Sequence, residues 1–165
     1  MSPYLLNLFK MILKEDIWAL IGDYLQQNSL FPVDITISKE NDIEVTIDSF
    51  DRVDIANCVA ISKIIEQGFD RESEDYSLTV TSAGLDQAFK VFEQYKKFLN
   101  KDVEVVLKNG RKQTGLLTRA TEEEIELTFY KLEKLEGKKK KEKIEVISVF
   151  PLSDIKSTKP FINFK

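Results

Sequence analysis

Apolar residues run along this chain in two different rhythms. In the first half, Ile17, Leu20, Ile21, Tyr24 and Leu25 recur at helical spacing behind Glu15 and Asp16, whose charge suits the positive end of a helix. The spacing predicts a helix over 15–28. Val33, Ile35 and Ile37 then alternate with other residues, as do Ile43, Val45 and Ile47, with the polar turn Lys39-Glu40-Asn41-Asp42 between the runs. That is a hairpin with one buried face. Asp54 is placed to cap a second helix, in which Ile55, Cys58, Val59, Ser62, Ile65 and Phe69 form one stripe and Gly68 lies near the end. Tyr76, Leu78 and Val80 alternate with Ser77, Thr79 and Thr81, which predicts a third strand. The order helix, strand, strand, helix, strand describes a two-layer domain with both helices on one sheet face.

Beyond the segment SAGLDQAF at 82–89, Phe92, Tyr95 and Leu99 return to helical spacing and predict a short linking helix. From Val103 the rhythm changes to short alternating runs. Val103, Val105 and Leu107 precede the dipeptide Asn109-Gly110, a strong hairpin signal. Gln113 to Ala120 follows, with Gly115 suited to a sharp bend. Ile125, Leu127 and Phe129 predict a third strand, Ile144 to Val149 a fourth, and Lys159 to Phe164 a fifth. Five short strands with tight turns suggest a small Sm-like (SH3-type) barrel. The fold class expected is therefore α+β, with a two-layer αββαβ domain and its linking helix over residues 11–98 and the barrel over 99–165. Met11 offers a second start, so residues 1–10 are either an N-terminal extension outside the fold or part of it.

With 165 residues and 42% apolar side chains, the chain is long enough for one ordinary core or two small ones. It contains no run of about 18 apolar residues, and its first apolar stretch is broken by Asn7 and closed by Lys10, so neither a membrane span nor a signal peptide is expected. The one cysteine, Cys58, has no partner for an internal disulfide, and a reducing cytoplasm is the expected location. There is no histidine, which removes the commonest metal ligand, the usual general base and every Ser-His or Cys-His arrangement. No enzyme activity, cofactor or metal is expected. Charge is unevenly spread: residues 1–100 carry 9 Lys+Arg against 17 Asp+Glu, a net of −8, and residues 101–165 carry 15 against 11, a net of +4. An acidic half repels nucleic acid and a basic half attracts it.

Few motifs carry chemistry. Gly110 to Gly115 has the glycine spacing of a phosphate loop, but Leu116 and Leu117 stand where Lys and Ser or Thr belong. The acidic clusters Glu72 to Asp75 and Glu122 to Glu124 read as solvated turns. Cys58 reads as a core residue with no cationic neighbour to activate it. The densest charge run is Lys138, Lys139, Lys140 and Lys141, with Lys143 close by and Glu133, Glu136 and Glu142 diluting it. It is either a solvated hairpin tip or, with Arg111, Lys112 and Arg119, a set of phosphate contacts. The G-x-x-G loop of a KH-type clamp is missing from the first domain, which suits it better to protein.

The segment YSLTVTSAGLDQAFKVFEQYKKFLNKDVEVVLKNGRKQTGLL at 76–117 resembles the signature of the RimP family, a strand leading into an S-S-P-G-L-D-R-P-like turn and a phenylalanine-rich helix. Ser82, Gly84, Leu85 and Asp86 match that turn, and IDSFDRVDIANCVAISKII at 47–65 is similar to the strand end and capped helix before it. The resemblance implies the two domains named above and a non-catalytic role in late maturation of the small ribosomal subunit, with ribosomal RNA and a ribosomal protein as partners. Ala83, Gln87 and Ala88 depart from the proline, arginine and proline of the usual turn, so Gln87 cannot make the arginine's ionic interaction. Gly84 is expected to supply a permissive backbone there. The competing reading is an Sm-like RNA-binding regulator, which assembles as a ring; a monomer is expected for the first reading.

Overall fold

A computed structural model of the chain describes residues 12–72, 75–137 and 139–162. The expectation for residues 1–10, the residue Lys138 and the end of the fifth predicted strand at Phe164 lie outside them. The protein is mixed α+β and divides into two compact units, Met1–Ala83 and Gly84–Lys165.

The first unit contains α1 (Lys14–Gln27), β1 (Leu30–Ile37), β2 (Asp42–Ser49), α2 (Ile55–Gly68) and β3 (Ser77–Ser82) in that order. β1 and β2 form an antiparallel hairpin, and β3 returns through α2 to lie parallel to β2, giving the sheet order β1-β2-β3. Ile17, Ile21 and Leu25 of α1 and Ile61 and Ile65 of α2 share one core with Ile35, Ile43, Val45 and Ile47 of the hairpin. Each fully buried isoleucine contributes on the order of 1.5–3 kcal/mol relative to an exposed one.

The face that α2 buries keeps Cys58, Ile65 and Phe69 of the expected stripe but not Ile55 and Val59. Ile55 and Val59 are exposed, at 85% and 47%, and Ile61 takes the buried position with Ile65, flanked by Cys58, Ile64 and Phe69. A stripe through 58, 61 and 65 is as periodic as one through 55, 59 and 62, and the sheet chose the one with more apolar volume. Asp54 is the N-cap of this helix, as expected, and its carboxylate also pairs with Arg52 at 3.0 Å. Asn57 reaches back to it, its side-chain oxygen accepting the Asp54 backbone N–H at 2.9 Å. Burial pushes the Cys58 thiol up, which favours the protonated, unreactive form.

The second unit contains α3 (Phe92–Lys97), β4 (Asp102–Leu107), β5 (Lys112–Ala120), β6 (Glu124–Lys134), β7 (Lys141–Pro151), a 3-10 turn (Leu152–Asp154) and β8 (Ile155–Pro160). Its sheet order is β7-β6-β5-β4-β8, all neighbours antiparallel. Among the described residues no pairing joins β7 to β8, so the sheet is not closed into a barrel. β8 begins at Ile155, earlier than the expected Lys159, because the 3-10 turn brings the chain directly back beside β4. Val103, Val105, Leu117, Ile125, Leu127 and Ile155 form the core.

The expected linking helix belongs to this second unit. Phe89, Tyr95 and Phe98 pack on its core, and Phe98 rather than Leu99 points inward. The Phe89 N–H donates to the Thr158 carbonyl at 2.7 Å. The Gln94 side-chain oxygen accepts the N–H groups of Lys90 and Val91, closing the start of α3. The division therefore falls at 83/84 rather than 98/99, and it sharpens the charge contrast. Residues 1–83 carry 6 Lys+Arg against 15 Asp+Glu, a net of −9, and residues 84–165 carry 18 against 13, a net of +5.

Candidate functional site

Among the described residues, no helix is long and apolar enough to cross a membrane, and no group of three or more His, Cys, Asp or Glu side chains stands ready to hold a metal ion. The cavities among the described residues are open to solvent. One of them, about 530 Å³, is lined by Glu66 to Arg71 and Tyr76. It holds the Arg71 guanidinium over the Tyr76 ring at 4.7 Å and an Arg71–Glu66 ion pair at 3.6 Å, and it gathers no nucleophile with a base.

Ser82, Gly84, Leu85 and Asp86 occupy the chain segment where the two units divide. Ser82 ends β3, paired opposite Ile47, and the next residue, Ala83, donates its N–H to the Ile47 carbonyl at 2.9 Å. Gly84 to Gln87 then form a turn closed by the Gln87 N–H on the Gly84 carbonyl at 3.2 Å, with Leu85 57% exposed. Gly84 does not supply a left-handed backbone: among the described glycines only Gly110 and Gly137 have positive φ. A Cβ at Gly84 meets only the movable side chains of Asp86 and Gln87.

The cations divide between two ends of one sheet. Arg111 sits in the β4–β5 turn and Lys112 opens β5; Gly110 at φ +92° lets the Asn109 side chain accept the Arg111 N–H at 2.9 Å. β6 runs antiparallel to β5 and stays paired with it only as far as Leu116 opposite Thr128. The rest of β6, from Phe129 to Lys134, pairs with β7 alone as a two-stranded ribbon that extends toward the end where β5 begins. Lys139, Lys140 and Lys141 lie at the tip of that ribbon, so direction along the strands brings them to the same end as Arg111 and Lys112. Arg119 lies at the other end of β5, about 23 Å along the strand from Lys112 at ~3.3 Å per residue. It is paired with Glu124 at 3.2 Å. That ion pair is exposed, and Arg119 stands apart from the other cations along the strand.

Gly115 makes this arrangement possible. A Cβ there would lie 3.1 Å from the Thr128 carbonyl oxygen and 3.3 Å from the Phe129 Cβ, so β5 and β6 approach closely where the ribbon departs.

Sequence reasoning passed over the outer face of the ribbon. Glu124, Glu126, Thr128, Tyr130, Leu132 and Lys134 alternate with Ile125, Leu127 and Phe129, and the register sets them opposite Pro151, Val149, Ile147, Glu145, Lys143 and Lys141. Tyr130, Leu132, Ile147 and Val149 are 59%, 67%, 61% and 46% exposed. The Lys143 ammonium stands over the Tyr130 ring at 4.5 Å. The available signal was an apolar residue at both parities of one strand, which a one-faced strand does not need.

Comparison with known proteins shows what the chain as a whole is similar to. A family model described as the RimP N-terminal domain matches residues 20–86. The chain is 38% identical over 146 residues to a protein named ribosome maturation factor RimP from Porphyromonas gingivalis, covering 88% of this chain and 96% of that one. It is 33% identical over 154 residues to the protein of the same name from Christiangramia forsetii, covering 93% and 100%.

Proposed function

Because this chain belongs to the RimP family of ribosome maturation factors, we propose that it binds the immature small (30S) ribosomal subunit and assists its late assembly without catalysing a reaction. The observation that carries this reading is similarity over nearly the full length of two ribosome maturation factors, spanning both units. Binding energy suffices for such a role: a protein that prefers one conformation of the subunit shifts the population toward it. Immature ribosomal RNA and a ribosomal protein are the partners, and the chain acts in the cytoplasm as a monomer.

The charge contrast supports a division of labour. The basic second unit meets RNA phosphates through Arg111, Lys112, Lys139, Lys140 and Lys141, each contact releasing condensed counterions. The acidic first unit meets a basic ribosomal protein. We read the second unit as an Sm-like barrel left open between β7 and β8, supported by the return of β8 to the side of β4 after a three-residue turn. Each unit has its own core, and we expect each to fold alone.

One observation favours the Sm-like regulator as a second reading: β7 and β8 are both sheet edges, the geometry a ring uses to join neighbours. Solution mass separates the two, since a ring requires several copies. The primary reading is tested by separating a low-salt cell extract by size. The protein is expected to travel with immature small subunits. Equal distribution over mature and large subunits would contradict it.

A further inference from the structure

We propose that Tyr130 and Lys143 on the outer face of the β6–β7 ribbon form a docking platform for an unpaired nucleotide of single-stranded RNA. The inference rests on the RNA-binding reading above and adds to it a site and a ligand class. Tyr130 is opposite Glu145, and Leu132 is opposite Lys143, so Tyr130, Leu132 and Lys143 share one face. Further out on that face Lys134 is opposite Lys141. The stretch from Tyr130 to the tip thus presents one exposed aromatic ring, one exposed leucine and three ammonium groups against the single carboxylate of Glu145.

A protein partner would cover the apolar pair but would have to desolvate or neutralise the lysines at the same time. A nucleotide answers both chemistries at once. Its base has a flat face for the ring and its phosphate takes the ammonium, and stacking tolerates any base because every base has a π-face. Lys143 is placed for this: its ammonium stands 4.5 Å above the ring, and its flexible stem lets it hand the ring face to a base and move to the adjoining phosphate. Paired RNA offers no free base face, so the platform selects unpaired nucleotides. The positive charge beyond Tyr130, including Lys139 and Lys140 at the tip, supplies the complementary field for the flanking backbone.

The test uses the full chain, an oligoadenylate of about 12 nucleotides and a fully paired RNA duplex, with binding read by fluorescence anisotropy and folding checked by circular dichroism. Single strand is expected to bind tighter than duplex. Tyr130→Ala is expected to weaken single-strand binding about 5- to 150-fold while leaving duplex binding unchanged, and Tyr130→Phe to retain it. Lys143→Gln is expected to reduce the salt slope on single strands by roughly 0.7. The proposal is overturned if folded Tyr130→Ala binds the oligoadenylate like the unsubstituted chain, or if it weakens both RNAs alike. It is also overturned if that variant loses only its association with immature subunits, since a protein would then occupy this face. Failure of the unsubstituted chain to bind oligoadenylate while still travelling with immature subunits sinks the platform and spares the family reading. Failure to travel with them sinks the family reading itself.

Discussion

The Tyr95 hydroxyl donates to the Thr158 side-chain oxygen across 2.9 Å, tying the helix that opens the second unit to the strand that ends it. Thr158 is 1% exposed, and the Tyr95 ring meets Phe89 edge-on at 5.0 Å. One side-chain pair thus anchors the start of the unit, and with it the position of the preceding turn, to the sheet that carries the cations.

Tyr95→Phe keeps the ring and deletes the donor, leaving the Thr158 hydroxyl with water excluded. The expected cost is about 1–2 kcal/mol. Chemical denaturation of the isolated second unit, residues 84–165, should show it as a lower midpoint with an unchanged slope. An unchanged midpoint would mean that packing of α3 alone holds the junction.

The same residue sets a pH dependence. Burial raises the Tyr95 pKa, with the hydrogen bond to Thr158 pulling weakly the other way, so the folded state holds the phenol proton more tightly than the unfolded chain. Stability from this group is fully present below the ordinary tyrosine value of about 10 and is lost as pH rises through the higher folded value. Alkaline titration should unfold the second unit of Tyr95→Phe at a higher pH, relative to its own neutral stability, than the unsubstituted unit.

Glycine replacements should separate backbone approach from a simple turn. Gly115→Val forces a side chain against the Thr128 carbonyl and the Phe129 Cβ, and overpacking of this kind costs roughly 1–3 kcal/mol. Gly84→Val meets only the side chains of Asp86 and Gln87 at ordinary φ, so its effect on stability should stay within about 0.5 kcal/mol. Thermal melts of the two variants compare them directly, and a larger loss at Gly84 would contradict this reading.

Much of the fold was legible because burial and periodicity agree. Val33, Ile35 and Ile37 against Ile43, Val45 and Ile47 gave the first hairpin, and Asn109-Gly110 the turn between β4 and β5. Periodicity failed where two phases were equally apolar. Ile55 and Val59 of α2 fitted the expected stripe yet face water, while Tyr130 and Leu132 lie in the part of β6 beyond the Ile125, Leu127 and Phe129 run. The composition of the cation set was legible, but its division was not. Strand direction sends Arg119 to the opposite end from Lys139 to Lys141, and Glu124 pairs with it, which no charge count reveals.

That division makes a prediction for binding. Lys139→Gln together with Lys140→Gln should lower the slope of log affinity against log salt by roughly 0.9 for each duplex phosphate that the variant no longer neutralises. Arg119→Gln should leave it unchanged. Affinity for immature subunits measured across a salt series reads both, and an equal effect from Arg119 would place the RNA elsewhere.

The central claim is that this chain recognises the immature small subunit through a basic second unit, and competition binding tests it most directly. The labelled full chain is held on purified immature small subunits and challenged with unlabelled immature small, mature small or large subunits at several salt concentrations. Displacement should require far less immature than mature or large subunit, and residues 84–165 alone should retain most of the salt dependence with weaker affinity, since linked contacts gain avidity. Equal displacement by all three particles, or full affinity and salt slope from residues 1–83 alone, would contradict the account.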